Sequence, residues 1–185
     1  MTQNRGAGAV LAAATVTTGL IAGVWFAFTV SVMPALGRSD DRTYVEVMQN
    51  INEVIENPAF FAALFGALVL TAVSAWQQRR TPRGRWVSAA LVLYVLVFVV
   101  TSAANVPLNN ELAAAGAPDR IADPAAVREN FEDPWVLWNA VRTVLTTAAL
   151  LCLWRATSLL RTTRPDQAGQ ASAYLASDAG SRASR

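Results

Sequence analysis

The chain has no histidine and only one cysteine in 185 residues. Without imidazole, His-ligated haem, zinc or copper and any Ser-His-Asp machinery are excluded within it. Cys152 has no partner for an intrachain disulfide and lies among Leu150, Leu151 and Leu153, which makes it an apolar packing thiol. A carboxylate-only metal site stays open in principle, but the acids show none of the Glu-x-x-His spacing of di-iron bundles, so no metal is expected. Lysine is absent as well: all fifteen basic residues are arginine. That bias, with the abundance of alanine, is the signature of a high-GC coding sequence and fits a bacterial plasma membrane.

Charge is sparse, at 15% of residues against 54% hydrophobic. Four runs, Gly8 to Leu36, Pro58 to Trp76, Trp86 to Val106 and Pro134 to Trp154, each meet the rough 20 residues that a helix needs to cross the hydrocarbon core. The expected fold is all-α, a four-helix transmembrane bundle in contact with the lipid bilayer. The first run extends well past the apolar stretch of a secretory signal, so it is expected to remain in the mature protein.

Charge placement orients the bundle. Arg79, Arg80, Arg83 and Arg85 crowd the second connection without an acid, and Arg155, Arg161, Arg164, Arg182 and Arg185 follow the last run. The first connection holds Asp40, Asp41, Glu46, Glu53 and Glu56, and the third holds Glu111, Asp119, Asp123, Glu129, Glu132 and Asp133. The positive-inside rule then puts both termini in the cytoplasm and both acidic connections outside. The net charge of +2 is the sum of two opposite faces and implies no nucleic-acid partner.

The organisation is one membrane domain, 1–161, and a Ser-, Ala-, Gly- and Arg-rich tail, 162–185, expected to be a disordered cytoplasmic end. In the first outer connection, Ser39 or Asp40 caps an amphipathic helix with Tyr44, Val47, Met48, Ile51, Val54 and Ile55 on one face. Asn57 ahead of Pro58 ends that helix and starts the second span. The third connection is too long to be structureless, and short helices are expected at Asn110 to Ala115 and from Pro124 behind an Asp123 cap. These two segments lie over the helix ends as a lid.

Polar residues within the apolar runs mark the candidate site. Asn105 ends the third run and Asn139 and Arg142 lie in the fourth; a guanidinium in a membrane helix costs a few kcal/mol at least and normally faces a partner, cavity or ligand. Trp135, Trp138, Asn139 and Arg142 are separated by steps of about three, four and seven, which puts them on one helix face. Asn109 lies one turn beyond Asn105, and Trp25 and Thr29 share a face of the first run. Asn52 projects from the outer helix toward the same end. Structural readings stand beside these. Trp25, Trp76, Trp86, Trp135 and Trp154 also suit an aromatic belt, the asparagines suit interhelical hydrogen bonding, and Arg142 is within range of pairing with Glu132, Glu111 or Glu56.

The segments Trp25-Phe26-Ala27-Phe28 through Met33-Pro34-Ala35-Leu36, Met48 to Asn52, Asn57-Pro58, Asn105-Val106-Pro107-Leu108-Asn109 and Trp135-x-x-Trp138-Asn139-x-x-Arg142 resemble the anthrone oxygenase-like family of small four-helix membrane proteins. The resemblance spans roughly residues 10 to 155. It implies oxidation of polyketide anthrones to anthraquinones by dioxygen, a monooxygenase reaction with no metal or organic cofactor. On that reading Arg142, Asn139 and Asn105 are the catalytic donors for a developing oxyanion. Trp25, Thr29, Asn52, Asn109, Trp135 and Trp138 contact the lipophilic substrate, and Phe28 or Tyr44 closes the slot. The base is open among Glu56, Glu111, Glu132 and a water held by the asparagines. Alternatives are a non-catalytic lipophile-binding protein, a subunit whose Arg142 pairs with another membrane protein, and carboxylate-bound metal catalysis. Homo-oligomerisation is also open, and carriage of a solute by four spans would require it.

Overall fold

A computed structural model describes residues 2–162, with side chains described for 6–159. The expected disordered tail lies outside the described residues, apart from Thr162, which ends the last helix. The described chain is all-α. The first rod, α1, consists of Thr2–Ala27, a π turn at Phe28–Val32 and a last turn at Met33–Leu36. Helix α2 is Asp41–Ile55 and α3 is Pro58–Gln78. Rod α4 runs through Gly84–Val100, a second π turn at Thr101–Asn105, and Val106–Ala114. A 3-10 turn at Pro118–Arg120 precedes α5, Pro124–Thr162.

Four of the five helices, α1, α3, α4 and α5, are long and apolar enough to cross a membrane, which makes this an integral membrane protein. They form a ring in which α1 and α4 each pack against α3 and α5. The outward faces carry Leu20, Val30, Val69, Val92, Val99, Val144 and Leu151, an apolar exterior suited to lipid. Two ends can be told apart. At the basic end, the α3–α4 connection is so tight that a Cβ on Gly84 would fall 2.5 Å from the Gln78 carbonyl. There Arg79 bonds the Trp76 carbonyl at 2.7 Å and stacks over the Trp76 ring.

At the acidic end, α2 lies across the bundle. Asp40 caps it, accepting from the Thr43 amide at 3.1 Å and the Thr43 hydroxyl at 2.7 Å, bonds that hold its carboxyl below the usual range. The buried face of α2 presents Tyr44, Val45 and Met48 to Leu36, Leu112, Phe131 and Trp135. Burial pushes the Tyr44 phenol up from its ordinary value, so it stays neutral. Arg128 of α5 fastens the arrangement: it donates to the Gly37 and Ser39 carbonyls at 3.1 and 3.0 Å and to Asp41 and Glu132 at 3.1 and 2.6 Å, and lies over the Tyr44 ring. Arg42 and Gln49 tie the other side of α2 to the third connection through the carbonyls of Pro118, Ile121, Leu112 and Gly116. The chain leaves α4 through Gly116, whose φ of 89° a residue with a Cβ rarely adopts.

Two boundaries differ from expectation. The expected helix at Asn110 to Ala115 is the end of α4, continuous through Pro107, and the helix from Pro124 runs straight through Pro134 into the fourth span. A proline removes one hydrogen bond and its ring crowds the carbonyl four residues back, but neighbouring packing can hold the helix across it. Phe131 and Trp135, both buried, flank Pro134. Ahead of Pro34 and Pro107 the backbone widens instead. Met33 donates to the Phe28 carbonyl and Val106 to the Thr101 carbonyl, each spanning one residue more than an α-helical bond.

Candidate functional site

The two π turns face the same end of the bundle and border one cavity of about 200 Å³. Its inner wall holds Trp25, Phe28, Trp135 and Arg142. Its side is lined by Phe60, Phe61, Leu64 and Phe65 of α3 and by Phe98, Thr101, Ser102, Val106 and Asn109 of α4. Ile51, Asn52 and Ile55 close it from α2, with Glu56 just beyond that helix. Phe61, Phe65 and Val106 line the cavity and are themselves exposed, so its α3–α4 side is an open apolar edge.

Arg142 is only 3% exposed. Its guanidinium stacks 3.9 Å from the Trp25 ring centre and 5.4 Å from that of Trp135, and one arm donates to Asn139 Oδ1 at 3.0 Å. Among the described residues no carboxylate lies within ion-pair distance of it, so the pairing considered with Glu132, Glu111 or Glu56 is not made. Two indole faces and one amide therefore compensate the charge; a desolvated cation–π contact is worth about 2 kcal/mol or more. Arg142 Nε and Trp25 Nε1 have no hydrogen-bond partner within the protein.

A polar relay behind the guanidinium holds it in place. Asn139 donates from Nδ2 to the Trp25 carbonyl at 3.1 Å and to Thr29 Oγ1 at 2.9 Å. Thr29 meets Thr143 at 3.1 Å, and Thr143 bonds back to the Asn139 carbonyl at 2.9 Å. The Asn139 amide is thereby orientated with its oxygen toward Arg142, and α1 is bound to α5 at this level. Trp135 is fixed similarly, its Nε1 donating to Asn109 Oδ1 at 2.8 Å.

Trp25, Asn52, Asn109, Trp135 and Arg142 thus reach the cavity wall, while Asn139 and Thr29 stand behind Arg142. Asn105 is 1% exposed in the second π turn, with neither amide atom partnered, and is not part of the lining. Trp138 is not brought to the cavity. It is 38% exposed, because the three-residue step from Trp135 turns it about 60° toward the bundle surface. Tyr44 lies under Arg128 in the neighbouring core. Thr143 and the phenylalanines of α3 were not singled out from the sequence. The i, i+4 spacing of Phe61 and Phe65 was the available signal. Among the described residues, no three or more acids and cysteines gather as a metal-ligand set.

The family described as anthrone oxygenase is matched over residues 48–152. That stretch contains the end of α2, all of α3 and α4 and most of α5, hence most of the cavity wall; Trp25 and Thr29 precede it. No curated protein and no solved structure matches the chain.

Proposed function

The chain belongs to the anthrone oxygenase family, and from that premise we propose that it is a cofactor-independent oxygenase oxidising an anthrone-like or phenolic polycycle with dioxygen. The observation that carries this reading is Arg142: a cation stacked between two indoles, without a carboxylate partner, at the wall of an apolar cavity that opens toward lipid. Such a place suits a flat lipophile that becomes an anion. Removal of a benzylic proton from an anthrone leaves an enolate whose oxygen Arg142 stabilises. The enolate carbon reduces dioxygen and binds it as a peroxide; loss of the second benzylic proton with O–O cleavage gives the quinone carbonyl and water. One substrate CH₂ and one O₂ yield one C=O and one H₂O.

In this scheme Trp25 and Trp135 stack on the polycycle, Asn52 and Asn109 contact its polar edge, and Asn139 with Thr29 orientates the guanidinium. Asn105, behind the lining at the π turn, becomes a donor only once the α3–α4 edge has parted. The cavity is smaller than the roughly 300–1,000 Å³ of common ligand sites, so entry of a tricycle requires the α3–α4 edge to part. The arginine distribution supports cytoplasmic termini with the α2 lid outside, and the Arg-only, Ala-rich composition supports a bacterial plasma membrane.

The test is oxygen uptake and quinone formation by detergent-purified protein given emodin anthrone, with and without chelator, beside Arg142→Ala. Only turnover above the no-protein blank counts, since anthrones autoxidise. Chelator-resistant turnover that is lost in the variant supports the proposal. Chelator-sensitive turnover redirects it to a metal, and no excess over the blank leaves lipophile binding or a subunit role.

A further inference from the structure

Resting on the oxygenase reading, we propose that Glu56 is the general base that takes the benzylic proton. Three acids were open from the sequence, and their surroundings separate them. Glu132 is engaged by Arg128 at 2.6 Å, and Glu111 lines a different groove with Leu108, Leu112 and Phe131. Glu56 lines the cavity that holds Arg142 and makes no ion pair with it.

The backbone at Glu56 is specifically constrained. Its φ of −76° and ψ of 55°, with the Asn57 amide donating to the Ile55 carbonyl at 2.8 Å, make an inverse γ-turn centred on Glu56. Asn57 clamps both sides of that turn. Its Nδ2 donates to the Val54 carbonyl at 2.9 Å, and its Oδ1 accepts from the Ala59 and Phe60 amides at 3.1 and 3.0 Å. One side chain thus ends α2, starts α3 and fixes the backbone from which Glu56 lines the cavity.

Glu56 is also exposed to the surroundings, whereas Arg142 is buried. A base of this kind needs both contacts: it meets the substrate on one side and returns its proton to water on the other. In the step assigned to it, the benzylic C–H bond breaks and an O–H bond forms on the Glu56 carboxylate. The C–H electron pair passes through the ring to the enolate oxygen at Arg142. After the proton leaves to water, the same carboxylate is ready for the second benzylic proton.

The experiment separates proton removal from oxygen chemistry. Full-length protein in detergent is given emodin anthrone in D₂O without oxygen, and exchange of the CH₂ protons above the no-protein blank is followed by mass spectrometry. Quenching of indole fluorescence reports binding. Glu56→Gln is expected to lose about 10²- to 10⁴-fold of the catalysed exchange while still quenching. Glu56→Asp is expected to recover part of it, and Glu111→Gln to exchange like wild type. Exchange by Glu56→Gln at the wild-type rate overturns the proposal, as does loss of quenching together with exchange. Wild type that consumes oxygen without anaerobic exchange overturns Glu56 alone. Wild type that does neither overturns the oxygenase reading and this one with it.

Discussion

The same four helices make a close-packed bundle at their basic end and a hollow one at their acidic end. At the basic end, Ala14, Ala75, Ala90, Ala149 and Ala156 meet Leu11, Val87 and Leu153, and Cys152 packs against them as an apolar thiol. Small residues let helices approach closely, which is the principal source of association between helices in lipid. Toward the acidic end the facing positions become Trp25, Leu64, Phe98, Trp135 and Arg142, and α1 and α4 each widen through a π turn ahead of a proline. Aromatic rings on broadened helices cannot close as alanines do. One half of the bundle is thus built for adhesion, while the other holds open a space with a charge in it.

The largest effect expected from breaking this contrast is at Arg142. Arg142→Leu should cut catalysed anthrone oxidation by about 10²- to 10³-fold, the usual loss when a donor to a developing oxyanion is removed. Its thermal midpoint in detergent should be no lower than wild type, because the ring contacts and the Asn139 bond only offset the cost of desolvating the guanidinium. Arg142→Lys should recover little activity, since an ammonium reproduces neither the planar stacking nor the donor fork. Thermal unfolding beside an oxygen electrode reads both halves. A collapse of stability in Arg142→Leu would make the residue a structural element after all.

The converse changes add bulk. Ala90→Leu, at a fully buried position in the alanine-rich half, should cost about 1–3 kcal/mol from overpacking, with the cavity chemistry intact in whatever protein folds. Leu64→Phe directs its extra volume at the cavity. It should leave the thermal midpoint near wild type and weaken fluorescence quenching by an anthrone. Equal sensitivity at both sites would mean that the acidic end is as closely packed in the membrane as the basic end.

Much of this architecture was legible beforehand, and for identifiable reasons. Run length marked the four spans; the Asp123 cap was readable from its side chain, the first cap was open between Ser39 and Asp40 and falls on Asp40, and the Asn57 boundary was readable because the residue before a proline avoids the helical region. The face shared by Trp135, Asn139 and Arg142 followed from helical spacing. What spacing does not carry is the effect of proline in context. Pro34 and Pro107 follow π turns while Pro134 sits inside an uninterrupted helix, a choice made by tertiary packing. Helix-face arithmetic likewise grouped Trp138 with its neighbours, although the true lining stops short of it. Glu56 could not be told from the other acids until α2 was folded across the cavity.

The lid supplies finer tests of the acidic end. Arg128→Ala removes donors to two carbonyls just past α1 and to two carboxylates. After discounting for solvent screening, about 1–2 kcal/mol of local docking energy should be lost. Amide exchange across Asp41–Ile55 should quicken while the α4–α5 contact at Ala90 and Ala149 keeps its protection. Asp40 offers the smallest and most local perturbation. Its folded carboxyl titrates below its ordinary value, so the stabilisation from its bonds to Thr43 is complete above that ordinary value and is lost as pH falls through the folded one. Exchange at the start of α2, corrected for its intrinsic pH dependence, should therefore rise only in that acidic window. In Asp40→Asn the window should vanish, because an amide caps without titrating; a window that persists would place the acid sensitivity of the lid at a carboxylate other than the cap.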